Sequence, residues 1–323
     1  MFKHRKLLIL AILLVASLAI GAFLYHRSTQ LPESASLLPE GDLVLYVNLK
    51  PVHMFDLAKS SPVQLEGEYK DFVEQTGIQF ERDLDEVAMS RRDTPDGRDV
   101  ESSEIFVGRF DEVRLKNYLQ KLASATEQYR NYTIYSITHE GHVVRVSVLG
   151  AGKVAAANMA SPEPMHGVID RTYKSSGGSA LLKSHYTHVP FASVAWLISR
   201  ISSKPDNVEL PGGFALTLPA DTVAVASLRY TGSLLFRADV IAQSQAQARQ
   251  IVDSANAHLT LVRGIGQFVK PNGPDKDIKA AFDSIQVEQK ENVAVFTATV
   301  PQSILKKIWS EAQSEGAVPT RQH

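Results

Sequence analysis

Two histidine pairs are the first candidates for chemistry. His185 and His188 bracket Tyr186-Thr187, and His139 and His142 bracket the Glu140-Gly141 turn. Paired metal ligands on a helix stand four residues apart; both pairs here stand three apart, with no third ligand nearby, so they read as ordinary polar residues. Asp93, Asp96 and Asp99 recur at every third position in a polar loop, unlike the alternating ligands and terminal Glu of an EF-hand. Ser175 to Ser179 lacks the Lys and the Ser or Thr of a phosphate loop, and Gly264-Ile265-Gly266 lacks a third glycine, so both read as turns. No serine occupies a Gly-x-Ser-x-Gly elbow, and the scattered Ser, His and Asp residues follow no recognisable triad order. With no cysteine in the chain, disulfides, thiolate metal sites and Cys nucleophiles are excluded. No catalytic, cofactor-binding or metal-ligating residue is assigned, and no cofactor is expected. Trp196 and Trp309 could line a groove, but each falls in an apolar-periodic stretch and reads as core. Asn131-Tyr132-Thr133 fits a glycosylation acceptor and is given no role.

The elements that would have to position any site are legible in part. Leu43 to Leu49 is a strand-like apolar run after the turn chemistry of Leu38-Pro39-Glu40-Gly41-Asp42. Gln64 to Thr76 reads as a helix, Glu86 to Ser90 and Ile105 to Phe110 as strands, and Arg91 to Ser103 as an exposed hairpin tip. Asp111 is a candidate N-cap, with Phe110 and Leu115 placed as a hydrophobic staple for a helix running to about Thr126. A hairpin follows from Tyr132, and on its return strand Val144, Val146 and Val148 alternate with Arg145 and Ser147, which predicts one wet sheet face. A helix is expected from Pro162 to Lys174.

Residues 1 to 27 carry the strongest signal. Lys3, Arg5 and Lys6 precede an uninterrupted apolar run from Leu7 to Tyr25, and His26 and Arg27 close it. Nineteen helical residues reach roughly 28 Å, close to the roughly 30 Å hydrocarbon thickness of a bilayer. The basic bias keeps the N-terminus inside and the rest of the chain outside the cytoplasm. Cleavage after Ala19-Ile20-Gly21 would cut within the apolar run, so an uncleaved anchor in the cytoplasmic membrane is the reading, with residues 7–25 contacting lipid. Hydrophobic content of 44% and charged content of 21% are those of a globular protein. With 34 basic against 35 acidic residues, no excess of positive charge is available for nucleic acid.

Downstream, the order of elements recurs: a strand at Asp221 to Ser227, a strand at Leu235 to Ala242, a helix from about Gln243 to Val262, a hairpin with Ile285 to Val287 and Val293 to Phe296, and a helix opened by Pro301. The expected fold class is therefore α+β: an N-terminal transmembrane helix followed by a duplicated unit of mixed or antiparallel sheet with helices packed on one face. The expected divisions are an anchor at 1–27, a spacer at 28–36, halves at 37–178 and 179–315, and a disordered tail at 316–323.

The anchor, the Leu38-Pro39 and Leu218-Pro219 strand starts, and the segment from Ile105 through Met165-His166-Gly167-Val168-Ile169-Asp170-Arg171 resemble an uncharacterised family of single-pass bacterial envelope proteins. The resemblance implies topology and transfers no activity. The functional expectation is a membrane-tethered extracytoplasmic binding or scaffold protein, non-catalytic, whose partner is another envelope protein and not nucleic acid. Its alternatives are an envelope hydrolase with a nonlocal active site and an accessory subunit of a transport or secretion system. A binding role predicts a groove at the junction of the two halves.

Overall fold

A computed structural model describes residues 30–51, 67–94, 100–139, 141–158, 161–174, 178–201, 206–210, 214–266, 275–301 and 303. The first half supplies strands β1 (Leu43–Asn48), β2 (Leu84–Asp93), β3 (Val100–Gly108), β4 (Ala125–Tyr129), β5 (Tyr132–His139), β6 (His142–Gly150) and β7 (Lys153–Ala157). The second supplies β8 (Ser193–Arg200), β9 (Asp206–Leu210), β10 (Phe214–Leu218), β11 (Val223–Tyr230), β12 (Leu234–Ile241), β13 (Gln286–Lys290) and β14 (Val293–Val300). Helices are α1 (Glu33–Ser36), α2 (Gly67–Thr76), α3 (Phe80–Asp83), α4 (Glu112–Leu122), α5 (Glu163–Thr172), α6 (Ala180–His185), α7 (Gln245–Gly266) and α8 (Asp275–Asp283), with a 3-10 turn at Tyr186–His188.

Twelve strands join one sheet in the order β13-β14-β12-β11-β8-β1-β2-β3-β7-β6-β5-β4, while β9 and β10 pair separately. Every neighbouring pair in the large sheet is antiparallel. The seam is β1 against β8, where Val44 faces Ile198 and Tyr46 faces Trp196. Without this pairing both strands would be edges, each with a row of unpaired backbone groups.

Alternation along the strands sends residues to two covered faces. Ile105, Ile134, Leu149 and Ala155 join one core cluster; their neighbours Phe106, Tyr135, Val148 and Val154 join another on the opposite face. The first cluster runs across the seam and takes in Met165, Val168 and Ile169 of α5, and Leu181 and Leu182 of α6. On the other face, Leu115 and Leu119 of α4 cover the first half, and Ala248, Ile251, Val252 and Ala255 of α7 cover the second. Asp111 caps α4, accepting from the amides of Val113 and Arg114, and Phe110 packs in the same cluster as Leu115.

These facts correct the expected fold class. The chain forms one large antiparallel sheet that crosses the supposed boundary between halves, instead of a duplicated unit with its own mixed or antiparallel sheet in each half. Helices pack on both of its faces, not on one. Among the described residues no helix is long and apolar enough to cross a membrane, and the apolar run Leu7 to Tyr25 lies outside them. The expected wet face of β6 is also covered: Ser147 is fully buried and donates to the carbonyl of Thr133. The residues taken for a polar spacer contribute structure as well, because Ser34 and Ala35 of α1 are fully buried.

Candidate functional site: the seam cleft

The site grows from the cross-strand pair at the seam. Tyr46 and Trp196 stand opposite each other, their rings stacked with centroids 5.4 Å apart, and Tyr186 meets Trp196 edge-on at 5.5 Å. Tyr46 and Trp196 are 6% and 2% exposed, so they form a floor; Phe191, at 60%, stands on the rim. Above this floor lies a cleft of about 450 Å³, walled also by Pro32, Asn48, Val189 and Pro190. A neighbouring cleft of about 360 Å³ shares Gln30, Pro32 and Tyr46 with it and carries the charges: Glu33, Lys50, Glu86 and Lys153. One end is therefore aromatic and the other ionic, with Tyr46 between them.

Position follows from local structure. β1 ends at Asn48 and delivers Lys50 just beyond it, with the Asn48 side chain accepting from the Lys50 amide. β2 begins two residues before Glu86, which faces Asn48 across the ladder. Glu86 is the hub. Its carboxylate accepts from Lys50 Nζ at 2.8 Å and from the buried Ser34 hydroxyl at 3.3 Å. Burial, reinforced by Glu86, pushes the Tyr46 phenol well above the usual tyrosine range, so at neutral pH it is a neutral hydroxyl. Burial likewise raises Tyr186, whose hydroxyl reaches the Gln30 carbonyl at 3.5 Å. Lys50 is raised by its hydrogen bond to Glu86 and stays charged. Lys153 pairs with Glu33 at 2.5 Å. The two clefts thus place a neutral aromatic floor beside two Lys–Glu pairs.

Of the residues weighed from the sequence, Trp196 alone among the described ones lines the cleft. His185 ends α6 and His188 ends the following turn; burial, then the nearby His188 and Arg200, lower the pKa of His185. His188 lies 3.4 Å from the buried Asp239, which Arg237 also engages. No group of three or more metal-ligating side chains occurs among the described residues. His139 and His142 face each other across the β5–β6 hairpin. Asp93 closes β2, exposed and paired with Arg91, while Asp96 and Asp99 lie outside the described residues. Gly264 and Gly266, expected in a turn, fall within α7. Gly178 and Ser179 precede α6, and the Ser179 hydroxyl caps it; Ser175 to Gly177 lie outside the described residues. Trp196 is core, as its periodicity suggests, and also the cleft floor; Trp309 lies outside the described residues.

Two histidine–carboxylate contacts escaped sequence reading: His188 with Asp239, and His166 with Glu127 at 2.7 Å. Neither histidine lines either cleft. His166 instead clamps α5 to β4, stacked on Tyr129 at 3.9 Å while Tyr129 and Arg130 both hold Asp170. The cleft itself left no sequence motif, because Tyr46 and Trp196 are 150 residues apart and meet only through the β1–β8 register.

No protein-family model matches the chain, and no curated protein matches it. Among solved structures it is similar to TP0453: crystal form III at TM-score 0.47 and 12% identity, over 87% of this chain and 99% of that one, and crystal form I at 0.43 and 11%, over 87% and 98%. At these values neither likeness bears on function.

Proposed function

We propose that this chain is a non-catalytic binding protein whose ligand occupies the cleft at the β1–β8 seam, and that the apolar run Leu7 to Tyr25 tethers it to a membrane with the folded part outside the cytoplasm. The observation that carries the reading is the aromatic floor of Tyr46 and Trp196 at the foot of an open cleft with an exposed aromatic rim. Convergent aromatic walls with a few placed polar groups are the common form of a ligand site. The two histidine–carboxylate pairs are not among the residues lining the cleft and lend no support to a hydrolase there.

The test is native mass spectrometry of the full chain released from its own membranes. A bound mass should accompany the wild type and be lost in Ala192→Trp, which puts an indole at a residue lining the cleft next to Phe191, and in Phe191→Glu, which charges its rim without touching the core. Identical spectra for all three proteins would overturn the reading.

A further inference from the structure

We infer that the seam cleft faces the membrane surface and that its occupant is a bilayer phospholipid with a zwitterionic headgroup, phosphate and amine together; this rests on the binding and tethering reading above. The first argument is the reach of the chain. Gln30, the first described residue, lines both clefts, and Pro32 does too. Only four residues separate Tyr25, the end of the apolar run, from Gln30, and the five steps between them span at most about 18 Å when fully extended. The headgroup layer takes up about 5–8 Å of that distance. With the apolar run seated in the bilayer, the cleft mouth is held within a lipid's length of the surface in any orientation of the sheet.

The second argument is the placing of chemistry within the cleft. Phe191 projects from the rim and Val189 and Pro190 adjoin it, a lining suited to the upper part of an acyl chain. Beyond Tyr46, Lys50 and Lys153 offer cations for a phosphate, and Glu33 and Glu86 offer carboxylates for an amine. The two signs balance, which matches a zwitterion better than an anionic headgroup. Lys50 and Glu33 are the more exposed members of their pairs, at 52% and 72%, so they are free to turn toward a ligand.

The absence of cysteine makes the test clean. Full-length Thr187→Cys carries a fluorophore on its only thiol, at an exposed residue next to Tyr186 that lines neither cleft, and Val143→Cys carries the same probe at the opposite end of the strands, in the β5–β6 hairpin. Both are placed in phosphatidylcholine vesicles containing phosphatidylethanolamine with a spin label on its acyl chain. Quenching several-fold stronger at position 187 than at 143 is expected, falling toward the 143 level when Ala192→Trp is added and when unlabelled phosphatidylethanolamine competes. Equal quenching at both positions, or quenching at 187 that neither treatment reduces, overturns the assignment; so does competition by phosphatidylglycerol equal to that by phosphatidylethanolamine. Flotation of the same samples separates the failures. Protein that does not float with vesicles refutes the tether and with it this inference. Protein that floats but shows a non-lipid bound mass refutes the inference alone and leaves the binding reading standing.

Discussion

Trp196→Ala is the sharpest probe of the seam. Trp196 is 2% exposed and stacks on Tyr46, which is 6% exposed, so truncation removes a complete aromatic contact and leaves a cavity beside β1. Burying and then deleting such a side chain costs about 3–5 kcal/mol, of which the stack itself carries about 0.5–1.5 kcal/mol. Against a total stability of about 5–15 kcal/mol, that is roughly a fifth or more of the folding free energy of a typical domain. Urea unfolding followed by circular dichroism reads it, since the indole is gone as a fluorescent reporter. Because the core cluster containing Trp196 holds residues of both halves, the loss should appear in one transition. A cycle with Tyr46→Leu and Trp196→Leu should return a coupling of about 0.5–1.5 kcal/mol. The exposed Val113→Ala, at 69% exposure, should change stability by less than about 0.5 kcal/mol. A cost below about 1 kcal/mol for Trp196→Ala, or a second transition unmoved by it, would refute the seam as a shared core.

Two further outcomes follow from the same geometry. Burial, with Glu86 adding to it, raises the Tyr46 phenol; burial raises Tyr186 and, with Glu81, pushes Tyr69 up to about 12; and the hydrogen bond to Glu86 raises Lys50. The unfolded chain gives up these protons near pH 10 while the native state keeps them, so their stabilisation is whole below that pH and is lost as pH rises through the folded values. The phenolate absorbance of Tyr46, Tyr69 and Tyr186, read as the part of the signal lost in the three Tyr→Phe variants, should therefore lag behind free tyrosine and appear together with unfolding, with Tyr46→Phe delaying the unfolding; ionisation of these three near pH 10 in an intact fold would contradict this. Gly152→Ala should be severely destabilising, by more than about 2 kcal/mol in urea, because Gly152 has φ +70° and an added Cβ would collide with the Gly108 carbonyl, whose own amide bonds to the Gly152 carbonyl. A near-neutral result would show that the β6–β7 turn relaxes freely against the end of β3.

Much of the local structure was open to reading from the chain, and the failures have identifiable causes. The Asp111 cap and its staple, the helical spacing of Leu115 and Leu119, and the valine alternation of β6 were all visible because each is a short-range signal. The covered second face of β6 was not. Its facing positions are small instead of large: Ser147, Ala155 and Ala157 are buried at 0–3%, which lets α5 approach closely but reads as polar or neutral in a hydropathy pattern. β7 escaped for the same reason, since Lys-Val-Ala-Ala-Ala has the composition of a helix, and β4 escaped because an edge strand of Ala-Thr-Glu-Gln-Tyr has little to bury. The α4 helix stops at Leu122, short of the expected Thr126, because Ser124 turns to bond the Ser136 carbonyl with both its amide and its hydroxyl. The cleft was illegible in a stronger sense. A binding role implied a groove at the junction, but no local pattern could reveal that Tyr46, Glu86, Lys153 and Trp196 would be gathered there, because their meeting depends on strand order.

The most direct measurement is the native mass of the full chain released from its own membranes, taken beside Ala192→Trp and Phe191→Glu. A discrete bound mass on the wild type that both variants lose, with their circular dichroism unchanged, is the result expected for a ligand held at the β1–β8 seam. A wild type without a bound mass, or one whose bound mass survives in both variants, would contradict the claim that this cleft is the binding site.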